Sequence, residues 1–185
     1  MRLHPLLDGI AITLLRFALM VATLELAGAA GVGGWHLGLV TNVAVTILAI
    51  ALMTRRRLWR VSGATTAWRS WIAAAALVPL VVESVSWALP AGLIPEEPGY
   101  LWWAITLLLV GVNEELISRG VILSRLREAY RPPQAVTLTA VLFGLQHLSA
   151  FALTSRGAGD ILMNVFLSGV YGFALAAYQF RFRWI

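Results

Sequence analysis

The stretch VGVNEELISRGVIL, residues 110–123, carries three charged side chains in an otherwise apolar segment. In a helix with about 100° between successive residues, Glu115 and Arg119 share a face one turn apart, which favours an ion pair. Glu114 points about 100° away and is expected to be unpaired. Because unpaired carboxylates in apolar surroundings are typical of functional sites, we expect Glu114 to act in chemistry, for example as a general base. Glu115 and Arg119 either share this role or tie helices together.

A second residue able to do chemistry, His147, lies in the next apolar segment, within FGLQHL. A single histidine in an apolar helix is often only a hydrogen-bonding residue between helices. Helix rise, however, places Glu114 about 15 Å from the end of its segment at Arg125, and His147 about 20 Å from the start of its own at Gln134. This matched depth predicts that the two side chains meet. Gly144, which lies next to His147 on the helix surface, leaves room for a close neighbouring helix.

The elements that position these residues are predicted to be membrane helices. Hydrophobic residues make up 59% of the chain and charged residues only 12%, whereas soluble domains usually carry about 25% charged residues. The absence of cysteine excludes disulfides and thiol chemistry. The net charge of +5 comes from arginine alone, and we interpret it as a sign of membrane topology rather than of nucleic-acid binding. Because a charge inside a bilayer costs about 3 kcal/mol, the three charges of the 110–123 segment must face protein or water.

Six segments are apolar and long enough to cross a bilayer, whose core needs about 20 helical residues. They predict an all-α polytopic membrane helix bundle, a single domain over residues 1–185, with spans near 6–30, 36–54, 70–92, 101–124, 134–153 and 160–180. With a cytoplasmic N-terminus, eleven arginines lie inside and only Arg156 outside, in agreement with the positive-inside rule. We therefore expect a multi-pass cell-membrane protein with both termini in the cytoplasm. Arg16, inside the first span, should partner another helix, and Glu83 is a candidate.

The residues singled out above resemble a known family. EELISR matches the EExxxR pattern, and FGLQH the FxxxH pattern, of the CAAX protease and bacteriocin-processing (CPBP/Abi) family of intramembrane proteases, which the chain resembles over about residues 100–183. The resemblance implies hydrolysis of a peptide bond by water that the first glutamate activates with help from the histidine. Those roles fall on Glu114 and His147, and Glu115 and Arg119 complete the first motif. The implied partners are the lipid bilayer and a membrane-associated peptide or protein, such as a prenylated tail or a bacteriocin leader.

The resemblance also implies a further helix that bears a histidine and, four residues on, an asparagine or similar residue for oxyanion stabilisation. The printed sequence ends at Ile185, before such a helix. The segment DILMN supplies Asp160 and Asn164 at the same spacing. We therefore expect either a truncated or degenerate member or a site in which Asn164 replaces the missing group. In the plainer interpretation, Asn164 is a polar contact between helices.

Three alternatives to a metal-free glutamate protease remain open. Zinc normally needs three protein ligands, and the only set that the motifs offer is Glu114, Glu115 and His147; we expect no cofactor. A proton-coupled transporter or channel would relay protons through Glu25, Glu83, Glu114 and His147. A non-catalytic membrane scaffold or immunity protein would tolerate the loss of Glu114.

Overall fold

The computed structural model describes residues 4–88 and 97–185. Within these residues the secondary structure is helical, with no strand. The helices are α1 (Pro5–Ala29), α2 (Trp35–Arg55), the single turn α3 (Trp59–Ser62), α4 (Trp71–Ala88), α5 (Tyr100–Leu126), α6 (Pro132–Leu153) and α7 (Ala158–Phe182). The predicted all-α architecture is confirmed.

Five of the described helices, α1, α2, α5, α6 and α7, are long and apolar enough to cross a membrane. The predicted third span, 70–92, corresponds to α4, whose described apolar part, Trp71–Ser86, is shorter than the other five. Residues 89–92 of that predicted span, and Glu96 in the loop after it, lie outside the described residues. The five long helices establish a multi-pass membrane architecture.

Helices α6 and α7 pack closely because glycines lie where the two helices meet. A Cβ atom added at Gly144 would lie 2.7 Å from the carbonyl oxygen of Val165, and one added at Gly172 would lie 2.9 Å from Cδ1 of Phe143. Only a residue without a side chain fits such spacing. The predicted close approach at Gly144 is confirmed, and it holds the helix that bears His147 against α7.

The middle of α5 departs from α-helical geometry immediately after the two glutamates. Tyr100–Glu115 is α-helical, Leu116–Ile122 is π-helical, and Leu123–Leu126 is α-helical again. All seven residues of the π-helical segment are buried, Arg119 among them. Such segments are rare and occur frequently at functional sites. The sequence analysis treated this stretch as a uniform α-helix, and the structure corrects that assumption.

An ion cluster joins three helices at one end of the bundle. Asp8 of α1 is buried, pairs with Arg56 just after α2, and accepts a hydrogen bond from Nε of Arg125 near the end of α5 at 3.3 Å. At the same end, the rings of His4 and Tyr130 meet edge to face with centroids 5.9 Å apart. Helices α1 and α6 therefore begin at the end of the bundle where α2 and α5 finish.

Candidate active site

Glu114 is held by an arginine from another helix. Its Oε1 accepts a hydrogen bond from Nη2 of Arg16 in α1 at 3.2 Å, and the two side chains are 20% and 8% exposed. The expectation that Glu114 is unpaired was therefore wrong, because its partner lies 98 residues away and local spacing cannot reveal it. Arg16 does partner another helix, as predicted, but the helix is α5, and Glu83 is not needed to explain its charge.

Glu115 and Arg119 form the predicted ion pair, with Nη1 and Oε1 3.2 Å apart. The Arg119 side chain is fully buried, whereas that of Glu115 is 31% exposed and borders a cavity of about 280 Å³. The described residues make no hydrogen bond to any of the three guanidinium nitrogens of Arg119. The guanidinium carbon instead lies 4.1 Å from the centroid of the Phe143 ring. Arg119 is therefore stabilised by one charge contact and one cation–π contact.

Phe143 connects the two motifs physically. While one side of its ring faces Arg119, the ring also meets that of His147 edge to face, with centroids 5.3 Å apart. His147 Nδ1 lies 2.9 Å from the carbonyl oxygen of Phe143. A carbonyl accepts only, so Nδ1 must carry the proton, and Nε2 is the acceptor in the neutral ring. The FxxxH spacing thus fixes both the orientation and the tautomer of the imidazole.

Three of the predicted site residues, Glu115, Arg119 and His147, lie in one chain of contacts through Phe143. Among the described residues, no hydrogen bond joins Glu114 to His147. Glu115 contacts Arg119, Arg119 contacts Phe143, and Phe143 contacts His147. The hydrogen bond of Glu114 goes to Arg16, and that of His147 goes to the backbone of its own helix. The approach of the two through a bridging water stays a prediction.

Asn164 lies on α7 and bonds within that helix. It is half-buried, and its Oδ1 accepts a hydrogen bond from Ser168 at 3.4 Å. Asp160, four residues earlier, is exposed in the first turn of the same helix. Neither residue hydrogen-bonds to Glu114 or His147, so a part for Asn164 in the site stays a prediction.

The sequence left a metal centre open, with Glu114, Glu115 and His147 as its possible ligands. Within residues 4–88 and 97–185, no group of three or more His, Cys, Asp or Glu side chains is placed to hold a metal ion. Glu114, Glu115 and His147 accordingly do not form the three-ligand set that zinc normally requires.

Two asparagines next to the site were missed by the sequence analysis. Asn113 is fully buried, and its Nδ2 donates to Oδ1 of Asn42 in α2 at 3.1 Å and to the Leu109 carbonyl at 2.7 Å. The contact ties α2 to the residue that precedes Glu114. The available signal was a pair of amide side chains in neighbouring apolar spans, since polar residues in spans often bond across helices.

A comparison with known protein families matches the part of the chain that contains the EELISR and FGLQH motifs. Residues 96–184 match the sequence model of the Rce1-like family, described as type II CAAX prenyl endopeptidase Rce1-like. The matched region contains Glu114, Glu115, Arg119 and His147, and it leaves out α1 and α2, including Arg16 and Asn42. No curated protein and no solved structure matches the chain.

Proposed function

We propose that the protein is an intramembrane endopeptidase whose water is activated by Glu114. Residues 96–184 match the Rce1-like family of CAAX prenyl endopeptidases, which supports this function. The family supports a membrane-embedded protease acting on a membrane-associated substrate. The observation that carries the glutamate mechanism is the Arg16–Glu114 pair beside the contact chain from Glu115 to His147. The pair holds a partly accessible carboxylate in place, and the contact chain orients the imidazole of His147.

The proposed reaction uses these groups in two steps. Glu114 takes a proton from water while the water oxygen bonds to the carbonyl carbon of the scissile peptide, giving a tetrahedral oxyanion. Glu114 then returns the proton to the leaving nitrogen as the C–N bond breaks. His147, whose Nδ1 is occupied by the Phe143 carbonyl, presents Nε2 either to orient the water or, when protonated, to donate to the oxyanion. Arg16 positions Glu114 and compensates its charge.

The decisive test replaces Glu114 by glutamine. We expect Glu114→Gln to lower single-turnover cleavage of a synthetic membrane peptide by about 10²–10⁴-fold, because the amide keeps the shape but cannot accept a proton. Mass spectrometry of the new termini measures cleavage, and thermal melting checks the fold. Glu128→Gln is the matched control, since Glu128 is half-exposed and pairs only with Arg125 three residues before it.

The test also separates the alternatives. A folded Glu114→Gln variant that cleaves at the parental rate removes Glu114 from the mechanism. Ion flux through reconstituted vesicles without new peptide termini would indicate a transporter. Neither activity, in a parental chain that melts cooperatively, would indicate a scaffold.

We further propose that both termini lie in the cytoplasm, on the strength of the arginine distribution. Reporter domains fused at the C-terminus and inserted in the 95–99 loop should report opposite sides of the membrane. A fusion at the short loop between α1 and α2 is the control and should agree with the 95–99 loop. If the C-terminal and 95–99 reporters lie on the same side, the proposed topology is wrong.

A further inference from the structure

An apolar groove runs between α1 and α6. Its volume is about 570 Å³, which is within the range of ligand pockets in general. Side chains of Ile10, Leu14 and Phe17 form one wall, and those of Val141 and Leu145 belong to the other. Because Leu14 and Val141 remain exposed, this α1–α6 groove opens sideways, towards the bilayer.

Gln146 is a polar side chain that lines the α1–α6 groove. It is only 9% exposed, and its buried Nε2 has no hydrogen-bond partner among the described residues. A buried amide without a partner is costly in apolar surroundings, and more so at bilayer depth, where water is absent. Thr13, which lines the groove on α1, donates its hydroxyl to the Gly9 carbonyl at 3.0 Å. The described residues therefore leave one hydrogen bond of the Gln146 amide unmade.

The unpaired amide lies at the depth of the proposed site. Helices α1 and α6 start together, as the His4–Tyr130 contact shows. From those starts, helix rise places Arg16 about 17 Å along α1 and Gln146 about 21 Å along α6, less than one turn apart. Gln146 also directly precedes His147 in the chain. A molecule bonded to Gln146 would lie at the depth of the proposed catalytic groups.

We propose that the α1–α6 groove binds an apolar peptide segment of the substrate and that the Gln146 amide hydrogen-bonds to a backbone peptide group of that segment. This inference rests on the proposed function, because the bound segment is a substrate only if the protein is a protease. The unpaired Nε2 is a donor, and a peptide carbonyl supplies the acceptor that it lacks. Lipid esters are acceptors too, but they lie at the edges of a hydrocarbon core about 30 Å thick, whereas peptide groups occur at every depth of a membrane segment.

The test is site-directed photo-crosslinking of the full chain in lipid nanodiscs with a synthetic apolar peptide of about 20 residues as the probe. A benzoylphenylalanine replaces Leu14, which lines the groove, or Leu15, an exposed neighbour on another face of α1 that does not. We expect the peptide adduct at position 14 to exceed that at position 15 by about tenfold. Gln146→Leu, which keeps the side chain's bulk without its amide, should lower the position-14 adduct by about 3–10-fold, the effect of one hydrogen bond.

Three results would overturn the proposal: equal peptide adducts at positions 14 and 15, adducts with phospholipid alone, or an unchanged adduct in Gln146→Leu. Crosslinking does not require cleavage, so it is repeated in the Glu114→Gln variant. If the peptide forms an adduct at position 14 but the parental chain cleaves nothing, the proposed function is wrong and peptide binding in the groove still holds. If the chain cleaves the peptide but no adduct forms at position 14, only peptide binding in the groove is wrong.

In a cleaving chain, kinetics give a second readout. Gln146→Leu should raise KM by the same 3–10-fold and leave kcat near the parental value, because the lost bond serves binding rather than chemistry. A fall in kcat at unchanged KM would instead assign Gln146 to the orientation of His147 and overturn its role in substrate binding.

Discussion

Two neighbouring glutamates of α5 form ion pairs of different kinds. Glu115 pairs with Arg119 of the same helix, whereas Glu114 pairs with Arg16 of α1. Glu115 and Arg119 are four residues apart, both inside the family-matched region, and the arginine is completely buried. Glu114 and Arg16 are 98 residues apart, and the arginine lies outside that region. The family-matched region therefore carries the proposed reactive groups together with their local support. The N-terminal helices provide the contact that fixes the proposed base.

The largest effect should come from breaking the local pair. Glu115→Gln leaves the fully buried guanidinium of Arg119 without its charge partner, and we expect a loss of about 3–5 kcal/mol in stability together with reduced cleavage. Thermal or denaturant unfolding in detergent measures the loss. Glu97→Gln, in the exposed loop before α5, is the control. A Glu115→Gln variant as stable as the parent would show that the cation–π contact with Phe143 alone holds Arg119.

Breaking the long-range pair should affect the reaction more than the fold. Arg16→Gln removes the charge that positions Glu114, and we expect kcat to fall by about 10–100-fold at nearly unchanged KM. Arg16→Lys keeps a positive charge and should recover part of kcat, which a purely structural role would not predict. Arg156→Gln, in the exposed loop before α7, serves as the control. If the Arg16→Gln variant keeps the parental kcat, Arg16 does not position Glu114 for the reaction, and α1 supports only the fold.

The smallest effect concerns the neutral contact between the same two regions. A double-mutant cycle of Asn42→Ala and Asn113→Ala should give a coupling energy of about 0.6 kcal/mol, the average for side-chain hydrogen bonds inside membranes. A cycle of Asn42→Ala with Asn164→Ala is the reference and should give none, because Asn164 bonds within α7. A coupling energy near zero in the first cycle would show that the Asn42–Asn113 hydrogen bond does not stabilise the fold. The Arg16–Glu114 pair would then be the stronger polar contact between the N-terminal helices and α5.

Local periodicity explains which features could be predicted from the sequence. Apolar segment length revealed the five long helices, and the i, i+4 spacing revealed the Glu115–Arg119 pair. Gly144 indicated a close helix contact because small residues mark helix interfaces in membranes. These predictions depend only on residues that are near one another in the chain.

The features that escaped prediction depend on tertiary packing. Arg16 was visible as a charge inside a span, but choosing between Glu83 and Glu114 requires the arrangement of three helices. The amide contact between Asn42 and Asn113 is hidden for the same reason. The π-helical segment Leu116–Ile122 also has no local signature, since all seven of its residues are buried and their packing is tertiary.

That π-helical segment also constrains how the length of α5 can vary. A π-turn accommodates more residues than an α-turn, so deletion of one residue between Leu116 and Ile122 lets the segment relax into ordinary α-helix. The helix would remain continuous, and the residues before and after the deletion would keep nearly the same faces, because the lost residue is the one that the wider π-turn accommodates. Both glutamates would then keep their directions, whereas Arg119, inside the segment, would shift relative to Glu115 and Phe143. Homologous chains can therefore differ by one residue in the length of this segment without turning the glutamates away from α1.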